Sequence, residues 1–162
     1  MPVSSLRLVV DTNVLLRGFR DENSAAGRLL EAILNRRVLI LLSKPVMAEY
    51  RSVLREMAES TRFPALTPQA VGMTLDRLQF FSDYVRNPAS HFEYDRDPRD
   101  EKFIELAIAG NATHIVSFDN DLLSLTSGHG DAANRFRQRL PAVKVVRPRE
   151  FMDRHARDIG GE

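Results

Sequence analysis

The chain has 162 residues, a net charge of +1, 43% hydrophobic and 28% charged residues, values ordinary for one globular domain. It contains no cysteine, which excludes a disulfide scaffold, a cysteine nucleophile and a thiolate zinc site. No apolar run approaches the ~18 residues of a membrane span. Asp11 interrupts the first apolar stretch, so we expect no signal peptide. A cytoplasmic protein without membrane association is therefore expected.

Charge is unevenly distributed along the chain. Residues 93–121 contain eight acidic and three basic side chains, whereas residues 132–157 contain eight basic and two acidic ones. Of the 23 basic residues, 20 are arginine, whose planar guanidinium can donate two hydrogen bonds to a phosphate group at once. The basic segment can bind a phosphate backbone next to the acidic segment. The alternative is a solvated surface, since most charged side chains face water.

The hydrophobic pattern predicts strands that alternate with helices. Four nearly continuous apolar runs are typical of buried parallel strands. They cover residues 6–10, 38–42, 113–118 and 143–146. Apolar residues at helical spacing, with capping residues and prolines at the expected ends, predict six helices. These helices cover residues 24–36, the segment that begins at Ser43, and residues 67–84, 97–109, 131–139 and 148–155. Residues 85–98 are predicted to form a loop or a short strand.

This order of elements predicts a three-layer α/β/α fold with a central, mostly parallel sheet of four to five strands. No repeat or linker interrupts the pattern, so we expect one domain over residues 1–155. Residues 156–162 are expected to form a disordered C-terminal tail. Ligands of such sheets bind outside the carboxyl ends of the strands.

Four acidic residues are expected at that edge of the sheet. Asp11 follows the first strand and Asp119 follows the third. Glu49 lies in the first two turns of the helix after the second strand, and Asp100 opens the helix that leads into the third. Close carboxylates repel one another, and a divalent cation, which prefers oxygen ligands, removes the repulsion. Each acid also has an ordinary alternative role as a turn residue, a cap, a partner of the helix dipole or a solvated charge.

Four segments around these acids resemble, in the same order, the motifs of PIN-domain nucleases. In that family the first strand ends in Asp-Thr-Asn, as it does here at residues 11–13. The segments are LVVDTNVLL (8–16), SKPVMAEY (43–50), DPRDEKFIELA (97–107) and IVSFDNDLL (115–123). The similarity spans about residues 6–152 and includes the sequence RPREF at 147–151. It is nearest to the bacterial subgroup that acts as toxins of toxin–antitoxin pairs.

The resemblance implies a metal-dependent endoribonuclease that acts on RNA, leaves 5′-phosphate and 3′-hydroxyl ends, and has a small antitoxin protein as its partner. It also implies a site for Mg²⁺ or Mn²⁺, and we expect a homodimer. The implied metal ligands and catalytic residues are Asp11, Glu49, Asp100 and Asp119, with Asp121 as a further outer ligand. The implied supporting residues are Thr12 and Asn13, which would orient the Asp11 turn, and Ser117, which would support Asp119.

Four arginines of the basic segment are expected to bind the RNA backbone. They are Arg135, Arg139, Arg147 and Arg149. Two stretches depart from the family pattern. The long stretch before Asp100, residues 62–87, is interpreted as a variable lid or a dimer surface. The insert at residues 127–131 is interpreted as a surface loop that carries His129.

Two other functions are compatible with these residues. A phosphatase of the haloacid-dehalogenase type also begins with an aspartate after its first strand. It would need a second aspartate two residues later, where this chain has Asn13. A catalytically silent PIN-like scaffold could bind RNA or a partner without cutting, but such a protein would be expected to lose some of its acids.

Overall fold

The computed structural model describes residues 5–88 and 91–160. Residues 1–4, 89–90 and 161–162, which include parts of the predicted 85–98 loop and of the predicted tail, lie outside the described residues. Five parallel strands form one sheet in the order β3-β2-β1-β4-β5. They are β1 (Arg7–Val10), β2 (Leu39–Leu42), β3 (Asp83–Tyr84), β4 (His114–Val116) and β5 (Lys144–Val146). The predicted parallel sheet of four to five strands is confirmed.

Helices complete a three-layer α/β/α arrangement, as the sequence predicts for a PIN-like fold. Within the described residues they are α1 (Thr12–Arg20), α2 (Ala25–Leu34), α3 (Lys44–Glu59), α4 (Pro68–Phe81), α5 (Glu101–Ala109), α6 (Asn120–Leu123), α7 (Asp131–Arg139), α8 (Pro148–Arg154) and α9 (Ala156–Ile159). A single 3₁₀ turn, Pro98–Asp100, leads directly into α5. None of these helices is both long enough and apolar enough to cross a membrane.

The central strand β1 fixes the position of the candidate site. Leu8, Val9 and Val10 are buried between β2 and β4, and the buried Tyr50 hydroxyl donates a hydrogen bond to the Val10 carbonyl. Strands β2 and β3 lie on one side of β1, and strands β4 and β5 lie on the other. The strand order therefore reverses between β1 and β4. In open α/β sheets, a crevice at the carboxyl ends of the strands forms at such a point.

Helix α1 was not among the predicted elements. Its interior glycine, Gly18, lowers helix propensity. The structure explains the glycine, because a Cβ at Gly18 would lie 2.9 Å from the carbonyl oxygen of Ala26 in α2. Val14 and Leu15 of α1 are buried in the core. Close packing of α1 against α2 therefore stabilises this helix, whose buried residues Val14, Leu15 and Gly18 lie on one face.

Two segment boundaries also differ from the prediction. The helix predicted over residues 67–84 ends at Phe81, and Asp83–Tyr84 pairs with β2 as an edge strand. The Asp83 carboxylate lies 2.6 Å from the Arg7 guanidinium of β1, which ties this short strand to the sheet. Residues Ala156–Ile159 form α9 where a disordered tail is predicted, because the Ile159 side chain is buried and its carbonyl accepts a hydrogen bond from Arg37.

Candidate metal-binding active site

Asp11 and Asp119 are held together by one serine at the point where the strand order reverses. The backbone amide of Asp11 donates to the Val116 carbonyl at 2.9 Å, which ties the end of β1 to β4. The buried Ser117 hydroxyl donates to Asp11 Oδ2 at 2.7 Å and accepts from the Asp119 amide at 2.9 Å. This serine therefore supports both acids, one on each side of the crevice.

Three carboxylates converge at this edge. One oxygen each of Asp97, Asp100 and Asp119 lie within 4.8 Å of one another. Asp100 is only 7% exposed, and its Oδ2 atom has no hydrogen-bond partner among the described residues. A buried charged oxygen without a partner is costly, and a bound cation would remove that cost. The donor set and the unpartnered oxygen both fit a divalent metal ion.

The protonation behaviour of the site follows from burial and from like charges. Burial raises the pKa of Asp100 to about 7, with further contributions from the negative charges of Asp11, Asp97 and Asp119. When protonated, Asp100 can donate a hydrogen bond to Asp119, which raises the same pKa. Burial also raises the pKa of Asp11, although the hydrogen bond from Ser117 opposes this rise. Without a cation, Asp11 and Asp100 therefore retain their protons more readily than free carboxylates do.

Asp97 is a site residue that the sequence analysis assigned only to a helix start. That local role exists, because the Asp97 side chain accepts a hydrogen bond from the Arg99 amide at 3.1 Å. The Arg99 guanidinium also binds the Asp97 carboxylate and lowers its pKa. The capping role accounts fully for an aspartate before Pro98, so no sequence signal distinguished Asp97 as a possible metal ligand.

Glu49 borders this group instead of joining the three converging carboxylates. Its carboxylate accepts a hydrogen bond from the Thr12 hydroxyl, and its Oε1 atom lies 2.8 Å from the Lys102 ammonium. Thr12 thus contacts Glu49 through its side chain. Asn13, the other residue predicted to orient the Asp11 turn, is exposed.

The three basic residues of the acidic segment each pair with a different acid around the site. The pairs are Arg96–Asp121 (3.3 Å), Arg99–Asp97 (3.1 Å) and Lys102–Glu49 (2.8 Å). Asp11, Asp100 and Asp119 have no basic side chain within 4 Å among the described residues. These three acids therefore have no basic partner to compensate their negative charge when they are ionised. Lys102 is a second site residue that the sequence did not single out. The sequence feature that marks it is that it is a lysine in the acidic segment, where the other two basic residues are arginines.

The four predicted RNA-binding arginines fall into two groups. Arg147 and Arg149 line a cleft of about 560 Å³ whose walls include Asn13 and Phe118, close in sequence to Asp11 and Asp119. Arg147 also donates a hydrogen bond to the Asn120 side-chain oxygen at 2.7 Å. Arg135 and Arg139 instead donate to backbone carbonyls of the 91–93 segment, at 3.1 and 3.2 Å. We call the first feature the arginine cleft. Its lining includes Asn13, Arg17, Arg20, Phe118, Arg147 and Arg149.

The fold and the carboxylate group define an α/β domain with a candidate cation site at the reversal of its strand order. The sequence profile of the PIN domain matches residues 7–121, so the chain belongs to the PIN domain family. The chain is also 28% identical over 152 residues to an uncharacterized protein of Methanocaldococcus jannaschii, covering 91% of this chain and 90% of that protein. No solved structure shows a significant match.

Family membership has a chemical consequence. PIN domains are generally nucleases, and their fold is that of metal-dependent enzymes. The acidic cluster that such chemistry needs is present here. The family match disfavours the haloacid-dehalogenase alternative.

Proposed function

We propose that this protein is a magnesium- or manganese-dependent endoribonuclease that hydrolyses RNA phosphodiester bonds. The observation that carries the proposal is the buried, unpartnered Oδ2 of Asp100 beside the carboxylates of Asp97 and Asp119. Hard divalent cations take carboxylate oxygens as ligands, so the donor set suits Mg²⁺ or Mn²⁺. Membership in the PIN family supports a nuclease.

Asp11, Asp100 and Asp119 would hold the ion, and Asp97, whose carboxylate is shared with Arg99, would contribute from the side. When bound, such an ion lowers the pKa of a coordinated water and neutralises charge on the phosphate oxygens. Ser117 keeps the Asp11 and Asp119 loops together, so the carboxylates stay close despite their mutual repulsion. Glu49 would contribute from the edge of the group, where its carboxylate is shared with Lys102.

The direct test is cleavage of a single-stranded RNA oligonucleotide by the wild-type protein in Mg²⁺, in Mn²⁺ and in chelator. We expect cleavage only with metal, and products with 5′-phosphate and 3′-hydroxyl ends. Asp11→Asn should abolish cleavage without unfolding the protein, because the change is nearly isosteric. Asp153→Asn, an exposed acid on α8, is the matched control. RNA binding without cleavage under every condition would instead identify a silent scaffold.

The two arginine groups give a test of the RNA backbone contact. Arg149→Ala should weaken RNA binding and reduce its salt dependence by about 0.7 units of slope for one lost single-strand phosphate contact. Arg139→Ala should leave both unchanged, because Arg139 is engaged with the His91 carbonyl. Equal effects of the two variants on binding and on slope would contradict a specific role for the arginine cleft.

We further propose that the enzyme is a toxin with a small antitoxin protein as its partner. The four-motif resemblance to bacterial toxins supports this role. Expression of the wild-type protein should arrest growth, whereas expression of Asp11→Asn should not. Co-expression of a small reading frame next to the gene should restore growth. Growth that continues while the active nuclease accumulates would contradict the toxin role.

A homodimer is the oligomeric state that we propose. Met73 and Phe80 of α4 are 61% and 82% exposed, and their spacing of seven residues places them on one helix face. Light scattering should give twice the mass of the chain. The double variant Met73→Ser with Phe80→Ser should give the monomer mass, and a wild-type monomer would contradict the proposal.

A further inference from the structure

We propose that the arginine cleft is a subsite for one unpaired nucleotide next to the scissile phosphate. The base would stack on Phe118, and the flanking phosphates would contact Arg17, Arg20 and Arg149. This inference rests on the proposed function, because it assumes that an RNA strand crosses the carboxylate site.

The cleft is continuous with the carboxylate site along the chain. Asn13 in its lining is two residues from Asp11, and Phe118 stands directly between Ser117 and Asp119. The segments that follow β1 and β4 thus supply both the acids and one wall of the cleft. A strand whose phosphate lies at the acids would reach the cleft with its neighbouring nucleotide.

Phe118 is placed as a stacking surface would be. Ser117 on one side of it is fully buried, yet the Phe118 side chain is 38% exposed and lines the cleft. Single-stranded nucleic acids are bound by such aromatic side chains, on which bases stack regardless of sequence. Leu16 and the short side chains of Ala25 and Ala26 complete an apolar lining that suits the face of a base.

The charge of the cleft suits phosphate. Arg17 and Arg20 lie on the same face of α1 as Asn13, and no aspartate or glutamate lines this cleft. Arg17 also forms a solvent-exposed ion pair with Asp21 at 3.8 Å, which a phosphate can replace. The Arg20 guanidinium stacks at 4.3 Å from the centre of the Phe63 ring, which fixes its position. The Arg149 guanidinium makes no hydrogen bond or ion pair with any residue in the described ranges. A guanidinium without a protein partner, such as that of Arg149, is available to bind phosphate oxygens.

The size and shape of the cleft favour an unpaired nucleotide. A volume of about 560 Å³ lies within the ~300–1,000 Å³ range of small-molecule pockets. A base inside a duplex is covered on both faces by its neighbours, so it cannot stack on Phe118 without leaving the helix. We therefore expect cleavage beside unpaired nucleotides in loops or single strands.

The test is an abasic scan of RNA binding, in which one base at a time is removed from a ten-nucleotide oligonucleotide. Binding is measured by fluorescence anisotropy with the Asp11→Asn protein in Mg²⁺. One position should show a loss of affinity of about fivefold or more when its base is removed, by analogy with other stacked single strands. Phe118→Ala in the same background should remove that position's effect, and Phe118→Trp should retain it.

His129→Ala is the matched control, because His129 carries an exposed aromatic ring outside the arginine cleft. The scan on the protein with Phe118 intact tests the base contact without relying on any change at Phe118. Uniform affinity across the scan, no RNA binding, or equal effects of Phe118→Ala and His129→Ala would overturn the inference. So would loss of antitoxin binding in Phe118→Ala with RNA binding intact, since the cleft would then be a protein interface.

The cleavage assay separates the two proposals. If the wild-type protein cuts RNA but the scan is uniform, the nucleotide subsite is wrong and the nuclease stands. If the scan identifies one base that depends on Phe118 but no RNA is cut, the nuclease is wrong and the cleft stands as an RNA-binding site.

Discussion

Asp100 and Glu49 lie at the same edge of the sheet, but their carboxylates have opposite surroundings. Asp100 is buried, and its Oδ2 has no hydrogen-bond partner within the described part of the chain. Glu49 is partly exposed and already binds Thr12 and Lys102. A carboxylate that the protein satisfies gains less from a cation than one left without a partner. We therefore expect the ion to bind on the Asp100 side, with Glu49 in a flanking role.

The largest expected difference between the two acids is in catalysis. Asp100→Asn should reduce RNA cleavage by about 1,000-fold or more, because several kcal/mol of metal-dependent stabilisation are lost at ~1.4 kcal/mol for each factor of ten. Glu49→Gln should cost about 10- to 100-fold, the range for residues that support a metal site from outside. The measurement is the single-turnover cleavage rate in Mg²⁺, and a larger loss in Glu49→Gln would reverse the comparison.

The pH dependence of metal binding should also distinguish them. Asp100 must lose its proton to bind a cation, and its pKa without metal is raised to about 7. Manganese affinity should therefore rise about tenfold per pH unit below 7 and level off above it. Titrations of the wild-type protein and of Glu49→Gln should both show this slope. A wild-type affinity that is flat between pH 5.5 and 7 would show that Asp100 is not a ligand.

In the absence of metal, the free energy of unfolding should fall as pH rises, whereas the manganese affinity rises with pH. A carboxyl group whose pKa is raised in the folded state binds a proton that the unfolded chain releases, so stability falls as pH rises from about 4 to 7. In chelator at pH 8, Asp100→Asn should therefore melt higher than the wild type. It also loses a first-turn negative charge worth ~0.3–1 kcal/mol, which is the smaller effect.

Manganese should reverse that order of melting temperatures. Metal at ~100 times its dissociation constant adds ~2.7 kcal/mol, or about 5–10 °C for a chain of this size, to the protein that binds it. The measurement is a pair of thermal melts on each protein, with chelator and with manganese. A variant that melts lower in chelator, or a wild type that manganese does not stabilise, would contradict a shared site.

The smallest expected effect concerns Lys102. Removing its charge in Lys102→Gln should free Glu49 and raise manganese affinity about fivefold, which corresponds to ~1 kcal/mol for a partly exposed ion pair. The double variant with Glu49→Gln should lose this gain, because the two residues act as a pair. Additive effects in this double-mutant cycle would show that Lys102 acts on the site independently of Glu49.

The parts of the site that follow directly from strand order were predictable. Asp11 follows β1 directly and Asp119 lies three residues beyond the end of β4. Parallel strands end at one edge of a sheet, so the proximity of the two acids follows from the pattern. Asp100 could be placed because a helix that leads into a parallel strand starts at the same edge. The sequence thus predicts the architecture and the location of the site.

The sequence pattern did not predict which side chains of the site contact one another. Asp97 has a local capping role that hides its place among the carboxylates, and the Lys102–Glu49 pair joins residues 53 positions apart. The amphipathic pattern of α1 separates its arginines from its buried face, but their place in the cleft depends on packing at Gly18 against α2. These features depend on tertiary contacts, which local propensity does not encode.

Manganese binding by isothermal titration calorimetry tests the central claim most directly. Wild type, Asp100→Asn and Glu49→Gln would be titrated at pH 7.5, with Asp153→Asn as the control for loss of an exposed acid. We expect the wild type and the control to bind equally, Glu49→Gln to bind within about tenfold of them, and Asp100→Asn to lose about 100-fold or more. A wild type that binds no manganese, or an Asp100→Asn variant that binds it as the wild type does, would contradict a cation site built around Asp100.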